Sequence, residues 1–64
     1  MARTKEYLYC SSGTINIYVN RTKHHLQTGD ILTFPGDESH AYENASQSKK
    51  ATCFSVVVFA PSGL

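Results

Sequence analysis

The residues of this chain that could do chemistry are three histidines and two cysteines, and they do not form one cluster in the sequence. His40 follows a Pro-Gly-Asp-Glu turn between two strand-like segments, a position from which its ring can point inward. Adjacent residues of a strand point to opposite faces, so His24 and His25 cannot bind one metal ion together, and we expect a solvated pair. His40 with Asp37 and Ser39 has the residue types of a hydrolase triad. Because nothing supplies an activated nucleophile or an oxyanion hole, we give this triad little weight.

The two cysteines, Cys10 and Cys53, each lie within a strand-like pattern. One interpretation is a redox-active or ligand-reactive thiol; the other, which we favour, is a small buried hydrophobic residue. Two cysteines without dense Cys/His spacing argue against a disulfide scaffold or a structural zinc site. Free thiols, no apolar stretch at the start of the chain and no apolar run of about 20 residues predict a soluble cytoplasmic protein with no membrane contact.

Length and charge limit the remaining classes. The 64 residues are enough for a single domain, taken here as residues 1–64, with a formal net charge of +1. That charge gives no electrostatic basis for binding nucleic acid. A chain this short buries only about 60% of its unfolded surface, so its core is marginal without a partner, metal or disulfide.

The elements that must position His40 are short strands. Apolar and polar residues alternate in several segments, most clearly at Ile15, Ile17 and Val19, which is typical of half-buried strands. The pattern predicts six strands, at residues 6–11, 14–19, 23–27, 31–34, 39–44 and 52–60. We expect Pro35 to end the fourth strand, since proline lacks a backbone donor. Short strands with frequent turns and no helical periodicity indicate an all-β sandwich or barrel.

One stretch carries a family resemblance. Its fixed positions are Gly29, Pro35, Asp37, His40 and Asn44. Their spacing resembles the second motif of the cupin superfamily, G-x5-P-x-G-x2-H-x3-N, with Asp37 where the pattern has glycine. Glu6 and Gly13 match the second half of the first cupin motif, E-x6-G. The resemblance, which extends from Glu6 to Phe59, implies a cupin-like jelly roll, or double-stranded β-helix barrel, of about six antiparallel strands.

The metal site of the family is incomplete in this chain. In metal-binding cupins the first motif opens with H-x-H, and residues 1–5 hold no histidine, so the chain resembles a truncated or minimal form of the barrel. The resemblance leaves Glu6 and His40 as ligands for a divalent transition metal, with Cys10 or another chain as a further donor. Two ligands make a weak site. We favour the alternative, in which Glu6 is a surface acid at a strand end and His40 lines a cavity.

The resemblance also implies a function. The cupin pocket would be lined by His40, Tyr42, Glu6, Leu8 and Phe34. Residues 5–9, the Gly29-Asp30 turn and residues 37–44 look similar to cupin domains that follow a helix-turn-helix domain in bacterial transcription regulators. We therefore expect a non-enzymatic domain that senses a small-molecule effector and does not itself contact nucleic acid. The alternative is a fragment of a metal-dependent cupin enzyme, such as a dioxygenase or isomerase.

An excess of apolar residues predicts self-association. Tyr7 and Tyr9 lie on the face opposite Glu6 and Leu8, and residues 52–60 are apolar on both faces. A strand of a small barrel needs only one apolar face. The second apolar face indicates that something covers it, so we expect a homodimer or a higher homo-oligomer.

Overall fold

A computed structural model describes residues 3–61, which form six antiparallel strands in two three-stranded sheets. The strands are β1 (Arg3–Ser12), β2 (Ile15–Val19), β3 (Thr22–Leu26), β4 (Ile31–Pro35), β5 (His40–Asn44) and β6 (Thr52–Ala60). One sheet has the order β4-β1-β6 and the other the order β3-β2-β5. The predicted all-β class is confirmed. Over the described residues there is no helix of the length and apolarity needed to cross a membrane.

The core is formed by residues of both sheets, and the alternation of the sequence selects them. Its buried members are Leu8, Cys10, Ile15, Ile17, Val19, Leu26 and Phe34. On β1 the inner residues Glu6, Leu8 and Cys10 are buried, whereas Tyr7 and Tyr9 on the other face are each 40% exposed. The period of two therefore predicts correctly which face of β1 turns inward.

Two tight turns fix how the strands follow one another. Asn20 and Arg21 form the two-residue connection between β2 and β3, and both have positive φ, as a type I′ hairpin turn requires. Gly29 has a φ of 95° just before β4, a conformation that side-chain-bearing residues adopt at a steric cost. The glycine of the motif is thus explained by the turn that leads into β4.

Some strand limits differ from those predicted. β1 begins at Arg3 instead of residue 6, because its first residues pair with β6, as Arg3 does with Ala60. β4 ends at Pro35, as expected, but the proline is itself the last residue of the strand and pairs with Lys5, so the strand is one residue longer than predicted. The N–H of Gly36 points toward β1, where it donates to the Thr4 carbonyl at 3.0 Å. Successive residues of a strand direct their backbone groups to opposite sides, so the nitrogen of Pro35 faces the free edge of the sheet. No hydrogen-bond donor is needed there, and a proline is tolerated.

β6, like β5, contributes no residue to the buried core. It lies at one edge of its sheet, and its residues are exposed from Thr52 to Phe59. Cys10 is buried, as expected, but Cys53 is exposed, so the prediction of a buried residue is wrong for Cys53. Cys53 is on the inner face of β6, opposite Cys10, but the second sheet does not extend over that face.

Candidate functional site

The polar group at the centre of the inner face is the carboxylate of Glu6. Glu6 is only 4% exposed. Its Oε2 atom accepts hydrogen bonds from the hydroxyl of Tyr42 at 2.5 Å and from the hydroxyl of Ser55 at 2.6 Å. The interpretation of Glu6 as a surface acid is therefore wrong. The strand alternation that buries Leu8 and Cys10 also buries Glu6, and its charge is accommodated by hydroxyl donors.

The donors reach Glu6 from different sheets. Ser55 is on β6, the neighbour of β1, while Tyr42 is on β5 in the opposite sheet. Tyr42 pairs with Ile17 of β2, and Ile17 is fully buried, so the Tyr42 side chain leaves the same inner face. The Tyr42–Glu6 bond is thus a polar link between the two sheets.

His40 stands beside this carboxylate in a fixed orientation. Its Nδ1 lies 2.8 Å from the carbonyl oxygen of Glu38. A carbonyl only accepts, so Nδ1 carries a proton and donates it to this bond. Nε2 then faces Glu6 Oε1 at 3.6 Å. The rings of Phe34 and Tyr42 lie edge-on to the imidazole, with centroids 5.2 and 5.6 Å away, which restricts its rotation.

The environment shifts the pKa values of the acid and its phenol donor in opposite directions. Burial is the largest single effect on the Glu6 carboxyl, and it raises the pKa. The opposite effects, which come from the hydrogen bonds of Ser55 and Tyr42 and from the nearby His40 ring, are larger in sum, so the pKa of Glu6 lies below its ordinary value. Burial, and then the bond to Glu6, raise the pKa of the Tyr42 phenol well above its ordinary range. At neutral pH the pair is therefore a carboxylate that accepts from a protonated phenol.

The predicted pocket residues are brought together only in part. Glu6, His40, Tyr42 and Phe34 form one cluster, whereas Leu8, two residues along β1, is 1% exposed within the core. Sequence reasoning missed Ser55. The available signal was that Ser55 is the one polar residue in the apolar segment 54–59.

A cavity of about 480 Å³ lies elsewhere. It opens mainly on the outer side of the β4-β1-β6 sheet. Its lining residues are Arg3, Thr4, Lys5, Tyr7, Pro35, Val58 and Ala60. None of the predicted pocket residues is among them. The titratable and aromatic groups converge on the inner face, so we place the candidate site at Glu6 and not in this cavity.

The donor set does not fit a transition-metal centre. Within residues 3–61 no three His, Cys, Asp or Glu side chains are grouped so that they could hold a metal ion. Glu6 and His40 supply two donors, and Oε2 of Glu6 already accepts two hydroxyl bonds. A stable site needs about four donors.

A second polar network lies on the outer face of the β3-β2-β5 sheet. The amide of Asn16 and the hydroxyl of Tyr18 both donate to Glu43 Oε1, at 3.0 and 3.1 Å. His25 Nδ1 is bonded to Asn16 Oδ1 at 2.8 Å. His25 thus lies on the outer face of this sheet, and His24, the preceding residue of β3, lies on the inner face, as expected. This network is separate from the Glu6 cluster.

The last motif residue, Asn44, holds the loop after β5. Its side-chain amide donates to the Lys49 carbonyl at 2.8 Å, and its Oδ1 accepts from the Ser46 N–H at 2.9 Å. Three residues of the motif therefore have separate structural roles. Gly29 forms the turn before β4, His40 lies at the candidate site, and Asn44 holds the loop after β5.

Comparison with known protein families gives a match over most of the chain. The family model for the cupin domain matches residues 2–58. No curated protein and no solved structure matches the chain. The family model covers almost the whole sequence, and the six-stranded all-β fold agrees with it. The chain therefore belongs to the cupin family.

Proposed function

We propose that this domain binds a small molecule at the Glu6 cluster without chemical conversion, and that it is the effector-sensing part of a bacterial transcription regulator. The observation that carries the binding proposal is a buried, ionised carboxylate whose hydroxyl donors face an open side of the molecule. Tyr42 is 48% exposed, and Ser55 lies on the uncovered inner face of β6. A ligand at this opening meets an aromatic ring and two hydroxyl groups.

The chemistry of the opening selects a class of ligand. Val57 and Phe59 share the inner face of β6 with Ser55 and are 42% and 73% exposed. They provide apolar contact, while the hydroxyl oxygens of Tyr42 and Ser55 still have lone pairs that accept hydrogen bonds. We therefore propose a ligand with an apolar or aromatic body and at least one hydrogen-bond donor.

The absence of catalysis is proposed from the roles already taken by the polar groups. Oε2 of Glu6 accepts two hydroxyl bonds, and the Nδ1 proton of His40 is held by a carbonyl. The regulator context is supported by the resemblance of residues 5–9 and 37–44 to sensor domains. Cytoplasmic location and the lack of nucleic-acid contact by this chain are predictions of the same proposal.

The test is a ligand-observed saturation-transfer NMR screen. The probes are small aromatic alcohols, amines and amides, and each hit is mapped by backbone amide shifts on labelled protein. We expect shifts at residues 40–42 and 53–57. Tyr42→Phe should weaken binding about tenfold, which corresponds to the loss of one hydrogen bond.

Tyr18→Phe is the matched control, because Tyr18 also donates to a glutamate but on the outer face. Equal effects of the two substitutions, or shifts confined to the cavity at Tyr7 and Val58, would place binding elsewhere. Manganese, iron, nickel and zinc ions are added in a parallel arm. Stoichiometric binding of any of them, lost in His40→Ala, would move the metal-dependent enzyme into first place.

A further inference from the structure

Within the part of the chain that the structure describes, the free edge of β6 is the least protected sheet edge. Sheet edges expose unpaired N–H and C=O groups, and proteins protect them with charges, proline or short strands. Of the other edge strands, β4 has five residues and ends in Pro35, β3 carries Lys23 and two histidines, and β5 carries Glu43. β6 has nine residues with no charge and no proline. Among the strands of residues 3–61, none pairs with its outer edge.

The backbone direction of β6 follows from the bonds of its neighbour. Cys10 and Thr4 direct their backbone groups toward the β4 side, as the bonds to Asp30, Gly29 and Gly36 show. Alternate residues point to alternate sides, so Tyr7 and its neighbours bond to β6, through Phe54, Val56 and Val58. The N–H and C=O groups of the intervening residues of β6 therefore face the free edge. They are Cys53, Ser55, Val57 and Phe59.

We propose that two copies of this chain associate by antiparallel pairing of β6 with β6 across a two-fold axis at Val56. Val56 is the midpoint of Thr52–Ala60, so this register pairs every residue of the strand. The outward-facing residues then pair with one another, Cys53 with Phe59 and Ser55 with Val57, in the hydrogen-bonded positions. No charged residue meets another, and Phe54 packs beside Val58 of the other copy, a favourable aromatic and β-branched pair.

The apolar area that β6 exposes is more than half of what each partner buries in a stable interface. The five apolar side chains of β6 between Phe54 and Phe59 are 42–73% exposed. From typical side-chain areas they expose on the order of 500 Å² per copy. The main-chain edge adds to this, against roughly 800 Å² per partner in a stable interface. A monomer would leave this area in water on both faces of one strand.

The second copy also completes the candidate site. In this register Val57 of the partner subunit lies beside Ser55, on the inner face that the second sheet leaves open. The two clusters then face a shared trough over the paired β6 strands. This last step rests on the proposed binding site, whereas the pairing itself does not.

Sedimentation equilibrium without ligand tests the pairing. The full chain should give twice its 7.1 kDa mass at 100 µM. Val56→Lys places like charges together at the axis and should weaken dimerisation at least tenfold while the circular dichroism spectrum is retained. Ile31→Lys is the matched control, because Ile31 is similarly exposed, on the same outer face, but on the opposite edge strand β4. It should leave the dimer intact.

A mixture of Val56→Lys and Val56→Glu chains should restore dimers by charge pairing. A monomeric wild type, or equal loss of dimer in Ile31→Lys, would overturn the inference. If dimers form and Val56→Lys leaves ligand binding unchanged, the completed site is wrong while the proposed binding function stands. If no probe binds any chain but dimers form, the binding function fails and the interface stands.

Cross-linking tests the register. Cα atoms of a non-hydrogen-bonded pair are about 4.5 Å apart, within the range of a disulfide. In a Cys53→Ser background, Val56→Cys should therefore give a covalent dimer on oxidation. Val58→Cys should not, because its two copies lie about 13 Å apart in this register. A covalent dimer from Val58→Cys alone would exclude the axis at Val56.

Discussion

Removing the hydroxyl of Tyr42 should destabilise the fold, because that hydroxyl links the two sheets through Glu6. A hydrogen bond to a charged group contributes about 1.5–3 kcal/mol. Tyr42 is 48% exposed, so water partly replaces the lost donor, and we expect Tyr42→Phe to cost about 1.5 kcal/mol. A chain of 64 residues has a free energy of unfolding of only roughly 3–10 kcal/mol. The loss is therefore a large part of the total.

Ser55 is the second hydroxyl donor to the same oxygen of Glu6. Ser55→Ala alone leaves Oε2 of Glu6 with the Tyr42 bond, as Tyr42→Phe leaves it with the Ser55 bond. The double variant leaves that buried oxygen with neither hydroxyl. We expect the double variant to lose about 1 kcal/mol more than the sum of the single variants.

The assay is urea unfolding at pH 7, followed by far-ultraviolet circular dichroism at one protein concentration, since association would make stability depend on concentration. Tyr18→Phe is the control and should show no measurable change, because its bond to Glu43 lies at the surface. If Tyr42→Phe costs no more than Tyr18→Phe, or if the double variant is additive, Glu6 does not depend on these donors as described.

Three further predictions concern titration, backbone and thiols. Because the folded pKa of Glu6 lies below its ordinary value of 4.5, its contribution to stability is full above that pH and is lost as the pH falls below it; pH-dependent melting should show this loss in the wild type and less of it in Glu6→Gln. Gly13→Ala should destabilise more than Gly29→Ala in urea unfolding: both glycines have positive φ, but a Cβ at Gly13 would lie 2.5 Å from the Lys50 carbonyl oxygen, while Gly29 has open space. Cys10 and Cys53 are free thiols in a non-hydrogen-bonded pair, about 4.5 Å apart at Cα. Glutathione disulfide should oxidise them to an intramolecular bond, releasing two molecules of reduced glutathione, and the mass spectrum should show the loss of two hydrogens; persistent free thiols would contradict the pairing.

The sequence predicts the faces of the strands well because the side-chain period is local. The predictions that Glu6 and Leu8 share one face of the first strand, and that Tyr7 and Tyr9 share the other, are confirmed. Each of these statements needs only the spacing of residues along one strand. The family motif adds the inward turn at His40, which lies beside Glu6 as that motif implies.

Burial and partners could not be predicted in the same way, because they depend on which strands meet. Ser55 is 49 positions from Glu6, and only the β1–β6 pairing brings the two together. Cys53 has the pattern of a buried residue, but burial requires a second sheet above it. Pro35 remains in a strand because that strand is an edge, a fact of sheet order that local sequence does not contain.

Strand β6 links the stability of this domain to its proposed response to a ligand. β6 adds nothing to the buried core, yet Ser55 is one of the two hydroxyl donors to Glu6. A ligand on the inner face of β6, or a second copy paired with its free edge, would therefore stabilise this strand and the proposed site together. By mass action a ligand at one hundred times its Kd adds about 2.7 kcal/mol, which is a large fraction of the roughly 3–10 kcal/mol expected for so small a chain. Occupancy of the site would thus change the order of β6 and the strength of the dimer together, which is the coupling that an effector sensor requires.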